Sequence, residues 1–182
     1  MGKLILILGG ARSGKSSHAE ELAAEKGGRI AYIATAQALD EEMQTRIHNH
    51  QANRPATWIT LEYSMNVAEQ TRQHGGEYDV ILLDCLTLLM TNVLMAHAAD
   101  IDNPDAEAVT AAGVAECERL LDLIARDNAT WIVVTNEVGL GLVPPYPAGR
   151  VYRDLLGLVN KRFAAQADEV FFMAAGLPLR LK

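Results

Sequence analysis

Residues Gly9, Gly10, Ala11, Arg12, Ser13, Gly14, Lys15 and Ser16 satisfy the spacing G-x-x-x-x-G-K-[ST]. Glycines let a backbone curl so that its N–H groups point inward at a polyphosphate, and a helix starting near Lys15 adds the positive end of its dipole. Lys15 then brings a mobile positive charge to the outer phosphates, and the Ser16 hydroxyl is a ligand for Mg²⁺. A second group must hold that metal, directly or through water. Val80-Ile81-Leu82-Leu83-Asp84 supplies it: four apolar residues ending in a carboxylate, Asp84.

A second cluster has no use in a simple phosphoryl transfer. Met43 to Arg54 is followed by Pro55 and reads as a helix over 40–53 that the proline ends. At about 3.6 residues per turn, His50 has Arg46 one turn before it and Arg54 one turn after, while His48 points roughly the opposite way. A neutral imidazole can attack phosphorus and carry the group as a phosphoramidate, with guanidinium groups steadying the phosphate charge. The competing reading is an exposed histidine at a helix end. A third group, Asn136 and Glu137, follows the apolar run 130–135. A carboxylate there positions an acceptor, assists its deprotonation, or only closes the loop from Gly139 to Gly149.

These groups need strands and helices to bring them together. Apolar bursts at Lys3–Leu8, Arg29–Ala34, Tyr78–Asp84 and Thr130–Thr135 have little polar alternation, as expected of parallel strands covered on both faces. Thr57–Glu62 reads as a further strand. Glu169–Ala174 and Leu177–Lys182 read as a closing hairpin turned at Gly176-Leu177-Pro178. Helical periodicity falls at 15–26, 40–53, 65–73, 87–97, 105–126 and 150–167, leaving 98–105 and 139–149 as loops. The fold class is therefore α/β: a mostly parallel sheet flanked by helices, with an antiparallel C-terminal edge. With no internal repeat and no linker, residues 1–182 are expected to form a single domain.

Composition narrows the remaining classes. With 49% hydrophobic and 21% charged residues, the chain is in the globular range. A net charge of −7 argues against broad attachment to nucleic acid or to an anionic membrane, so an anionic ligand must be gripped locally. No apolar run has the length of a secretion signal or a membrane span, which makes the cytoplasm the default location. Cys85 and Cys117 form no metal or redox spacing and read as buried small apolar residues, and Trp58 and Tyr63 read as packing residues.

Gly9 to Ser16, Ala34-Thr35-Ala36, Met43 to Pro55 with Trp58 and Glu62 behind it, Leu82 to Asn92, and Val134 to Gly139 together resemble the bifunctional adenosylcobinamide kinase and adenosylcobinamide-phosphate guanylyltransferase family. The string R-I-x-x-H-x-x-x-R-P at Arg46 to Pro55, with T-N-E-V-G downstream, is its most specific part, and only about 93–128 carries no matching motif. The resemblance implies a RecA-like P-loop fold, a tendency to form homotrimers, and two reactions. ATP or GTP phosphorylates adenosylcobinamide, and GTP then transfers GMP to adenosylcobinamide phosphate through a guanylyl-histidine. His50 matches the guanylylated position. Ala34, Thr35, Ala36, Gln51, Ala52, Asn53, Arg54, Glu62 and Asp84 fall where the family binds GTP. Two other readings stand beside this one: a plain P-loop small-molecule kinase, and a nucleotide-controlled switch without chemistry on a metabolite.

Overall fold

The computed structural model describes residues 2–37 and 55–182. In chain order it holds β1 (Lys3–Gly9), α1 (Lys15–Lys26), β2 (Ile30–Ala34), β3 (Ile59–Glu62), α2 (Val67–His74), β4 (Val80–Asp84), α3 (Leu86–His97), α4 (Ala106–Arg126), β5 (Thr130–Asn136), α5 (Pro147–Gln166), β6 (Glu169–Ala174) and β7 (Leu177–Arg180). The helix predicted over 40–53 lies outside the described residues, as do His50, Gln51, Ala52, Asn53 and Arg54.

The strands form one sheet in the order β3-β2-β4-β5-β1-β6-β7, with β1 to β6 mutually parallel and β7 antiparallel to β6. Successive residues of a strand face opposite sides, and here both sides are apolar. Ile5, Ile7, Val80, Leu82, Ile132 and Val134 pack with Ala19 and Ala23 of α1. Leu4, Leu6, Ile81, Leu83, Trp131 and Val133 turn the other way, into a larger cluster built with α2 to α5. That two-sided burial is why β1, β4 and β5 read as unbroken apolar runs.

Helix ends follow local chemistry. Asp105, expected inside α4, is its N-cap: its carboxylate accepts from the Glu107 and Ala108 amides at 3.0 Å. Helix α5 starts three residues earlier than predicted, because Pro147 occupies its first position, where a missing N–H costs nothing. The loop before it is shorter accordingly. The C-terminal turn also differs: it is Ala175-Gly176, both at positive φ (52° and 82°), and Leu177 and Pro178 belong to β7. Such a two-residue turn matches strand twist, and proline is tolerated in β7 because that strand is an edge. No helix among the described residues is long and apolar enough to cross a membrane.

Candidate nucleotide site

The loop between β1 and α1 sits at the C-terminal edge of the sheet, flanked by β5 on one side and β6 on the other. Gly14 has φ +92° and caps α1 without any side-chain acceptor, and the helix has no acidic residue in its first turn. Its opening N–H groups are thus left for an anion. Lys15 is 8% exposed and folds back so that Nζ donates to the Gly10 carbonyl at 2.6 Å. Burial lowers its pKa below the usual lysine value, against an upward pull from Cys85 and Asp84. Ser13 is also buried, and its hydroxyl has no hydrogen-bond partner among the described residues. A buried unpaired hydroxyl inside this cradle suits a phosphate oxygen.

The terminal hairpin helps to shape the loop. The Gly176 amide donates to the Ser13 carbonyl at 3.0 Å, and a Cβ on Gly14 would lie 3.2 Å from Gly176 Cα. At the other end of the loop, a Cβ on Gly9 would lie 2.5 Å from the Met173 carbonyl oxygen of β6. The sequence marked the hairpin through its turn residues but gave no signal of this contact, because nothing local says that β6 lies beside β1.

Asp84 ends β4 on the α1 side of the sheet, two strands from β1. The hydroxyl of Tyr32, in β2, donates to Asp84 Oδ2 at 2.9 Å and fixes the carboxylate. Ala34 pairs in register with Glu62 on one side and Asp84 on the other, so these three predicted site residues form one row. Thr35 is fully buried: its hydroxyl donates to the Cys85 carbonyl at 2.8 Å and accepts from the Cys85 amide at 2.9 Å, which ties β2 to the end of β4. Ala36 is half-buried just beyond it. Cys85 itself is a buried thiol whose pKa is pushed up to about 12, mainly by burial and further by Asp84.

A polar network missed in the sequence underlies the same edge. Asn92 of α3 donates to the Thr35 and Ser64 carbonyls. The Asn136 amide donates to Thr87 Oγ1 at 2.7 Å, and its carbonyl accepts from Asn160 of α5 at 2.9 Å. Thr135 in turn donates to Asn160 Oδ1 at 2.7 Å. The legible signal was an asparagine on each of two otherwise apolar helical faces. A groove of about 650 Å³, lined in part by Arg72, Tyr78 and Arg126, opens at the opposite edge of the sheet, away from all of this.

A mostly parallel sheet with helices on both faces and this glycine-rich loop between β1 and α1 defines a P-loop fold. Residues 5–181 match the family described as cobinamide kinase / cobinamide phosphate guanyltransferase, a family of transferases, and the chain belongs to it. It is 40% identical over 181 residues to the bifunctional adenosylcobalamin biosynthesis protein CobU of Escherichia coli, covering 98% of this chain and 99% of that one. Against CobU of Salmonella typhimurium the identity is 41% with the same coverage. Against the bifunctional adenosylcobalamin biosynthesis protein CobP of Pseudomonas aeruginosa it is 44% over 177 residues, covering 97% and 96%.

Proposed function

We infer that this chain phosphorylates the aminopropanol hydroxyl of adenosylcobinamide with ATP or GTP, and then transfers GMP from GTP to adenosylcobinamide phosphate through His50. The carrying observation is the buried Lys15 and unpaired Ser13 hydroxyl in a loop beside Asp84, in a chain of the kinase and guanyltransferase family. In the transfer, a His50 ring nitrogen bonds to the α-phosphorus of GTP as the bond to the bridging oxygen breaks and pyrophosphate leaves. An oxygen of adenosylcobinamide phosphate then displaces the imidazole, giving adenosylcobinamide-GDP. This chemistry lies deeper along the triphosphate than phosphorylation, so His50 must reach past the groups that Lys15 holds.

Gly9 to Ser16, Ala34, Thr35, Ala36, Gln51 to Arg54, Glu62 and Asp84 form the nucleotide site in this reading. Ser16 and Asp84 would hold Mg²⁺, which neutralises charge on the phosphate oxygens. Their oxygen donors fit that ion. A homotrimer completes the reading, and the exposed Leu140, Leu142 and Val143 are surface of the kind that association covers.

The test is GTP labelled at its α-phosphorus. The protein should acquire acid-labile, base-stable label, and His50→Ala should abolish it while magnesium nucleotide still raises the melting temperature. If label moves only from the γ-position, onto a small hydroxyl, the chain is a plain kinase and the transferase half is lost.

A further inference from the structure

Phosphorylation of a hydroxyl needs a group that takes its proton, and the loop, Asp84 and His50 leave that group unassigned. A base for this step must stand at the C-terminal edge of the sheet, within reach of the outer phosphate. Carboxylates stand at or just after the ends of three strands there: Glu62 at β3, Asp84 at β4 and Glu137 after β5. Strands lie about 4.8 Å apart, so Glu62, four strands from β1, is roughly 19 Å away across the sheet. Asp84 is two strands away, with one oxygen taken by Tyr32. Glu137 is one strand away, and its amide donates to the carbonyl of Gly9, the first residue of the phosphate loop, at 3.0 Å.

Its surroundings fix it there. Asn136, directly before it, pairs in register with Gly9 and is pinned through its amide by Thr87 and through its carbonyl by Asn160. The Glu137 side chain is held in turn, because Oε1 accepts from the Gly139 amide. Among the described residues nothing donates to Oε2. A carboxylate held through one oxygen, on a residue whose backbone amide is bonded to the first residue of the phosphate loop, is arranged as a proton acceptor.

We propose that Glu137 is the general base of phosphoryl transfer, an inference that rests on the kinase half of the reading above. The acceptor hydroxyl oxygen bonds to the γ-phosphorus as the bond from that phosphorus to the β–γ bridging oxygen breaks. The electron pair leaves on the nucleoside diphosphate, and the hydroxyl proton passes to Glu137 Oε2.

Glu137→Gln separates this role from loop support, since the amide oxygen can still accept from Gly139 but cannot take a proton. With adenosylcobinamide and γ-labelled ATP or GTP, kcat should fall about 100-fold or more with KM for nucleotide unchanged. Unfolding midpoint, melting-temperature rise with magnesium nucleotide, and α-label transfer from GTP to the protein should stay at wild-type levels. Wild-type turnover with Glu137→Gln overturns the proposal, as does an equal loss in phosphorylation and α-label transfer, which makes Glu137 a support of the loop. Should the wild type fail to phosphorylate adenosylcobinamide, the substrate reading fails separately. The slow release of γ-phosphate to water then tests the base: Glu137→Gln lowers that rate if Glu137 takes the proton and leaves it unchanged if not.

Discussion

Lys15, the residue proposed above to meet the outer phosphates, is buried at a cost to the folded chain. Burial disfavours its charge in the folded state, so its folded pKa lies below its ordinary value of 10.5. The sign follows from linkage: the folded chain binds the proton less tightly than the unfolded chain, so stability is penalised at low pH. That penalty is relieved as pH climbs from the lowered value through 10.5. Without nucleotide, Lys15→Met should therefore melt higher than the wild type at pH 7, and the advantage should shrink as pH approaches 10.5. With magnesium nucleotide the order should reverse, because only the wild type gains the phosphate contacts. Melting curves across pH, with and without ligand, check both halves.

At the scale of elements, the site depends on how strand ends are tied to the helices that follow. Asn160 is the joint between α5 and β5: it accepts from the fully buried Thr135 hydroxyl and donates to the Asn136 carbonyl. Asn160→Ala removes both bonds and strands the Thr135 hydroxyl, at a cost of about 2–4 kcal/mol. Urea unfolding should show that loss. Phosphoryl transfer should suffer beyond it, since Asn136 and Glu137 lose their anchor, whereas Asn160→Asp should retain the bond from Thr135. Thr35 and Tyr32 do the corresponding work at β2 and β4, one holding the chain beyond the strand ends and the other aiming Asp84.

For the whole molecule, the two cysteines report on opposite layers. Cys85 packs on the α1 side of the sheet and Cys117 in the larger cluster on the other. Each thiol has its pKa pushed up to about 12, chiefly by burial, so the native thiolate fraction is very small. Neither should react with a disulfide reagent at neutral pH, and in urea both should become reactive at one shared midpoint if the chain is a single cooperative domain. Two separate midpoints would show that the layers unfold independently.

The place of the glycine-rich loop was legible because it is built from consecutive residues: Gly14, Lys15 and Ser16 are set by covalent geometry and one helix start. The apolar runs gave the strands of the parallel sheet for a similar reason, since two-sided burial imprints itself on each strand alone. Those runs are interchangeable, however, and do not encode their order. Only the tertiary structure set Tyr32 against Asp84 across 52 residues, brought the Gly176 turn onto Ser13, and pinned Asn136 between Thr87 and Asn160. Contacts of that kind depend on which strand lies beside which, and the packing of the whole sheet decides that.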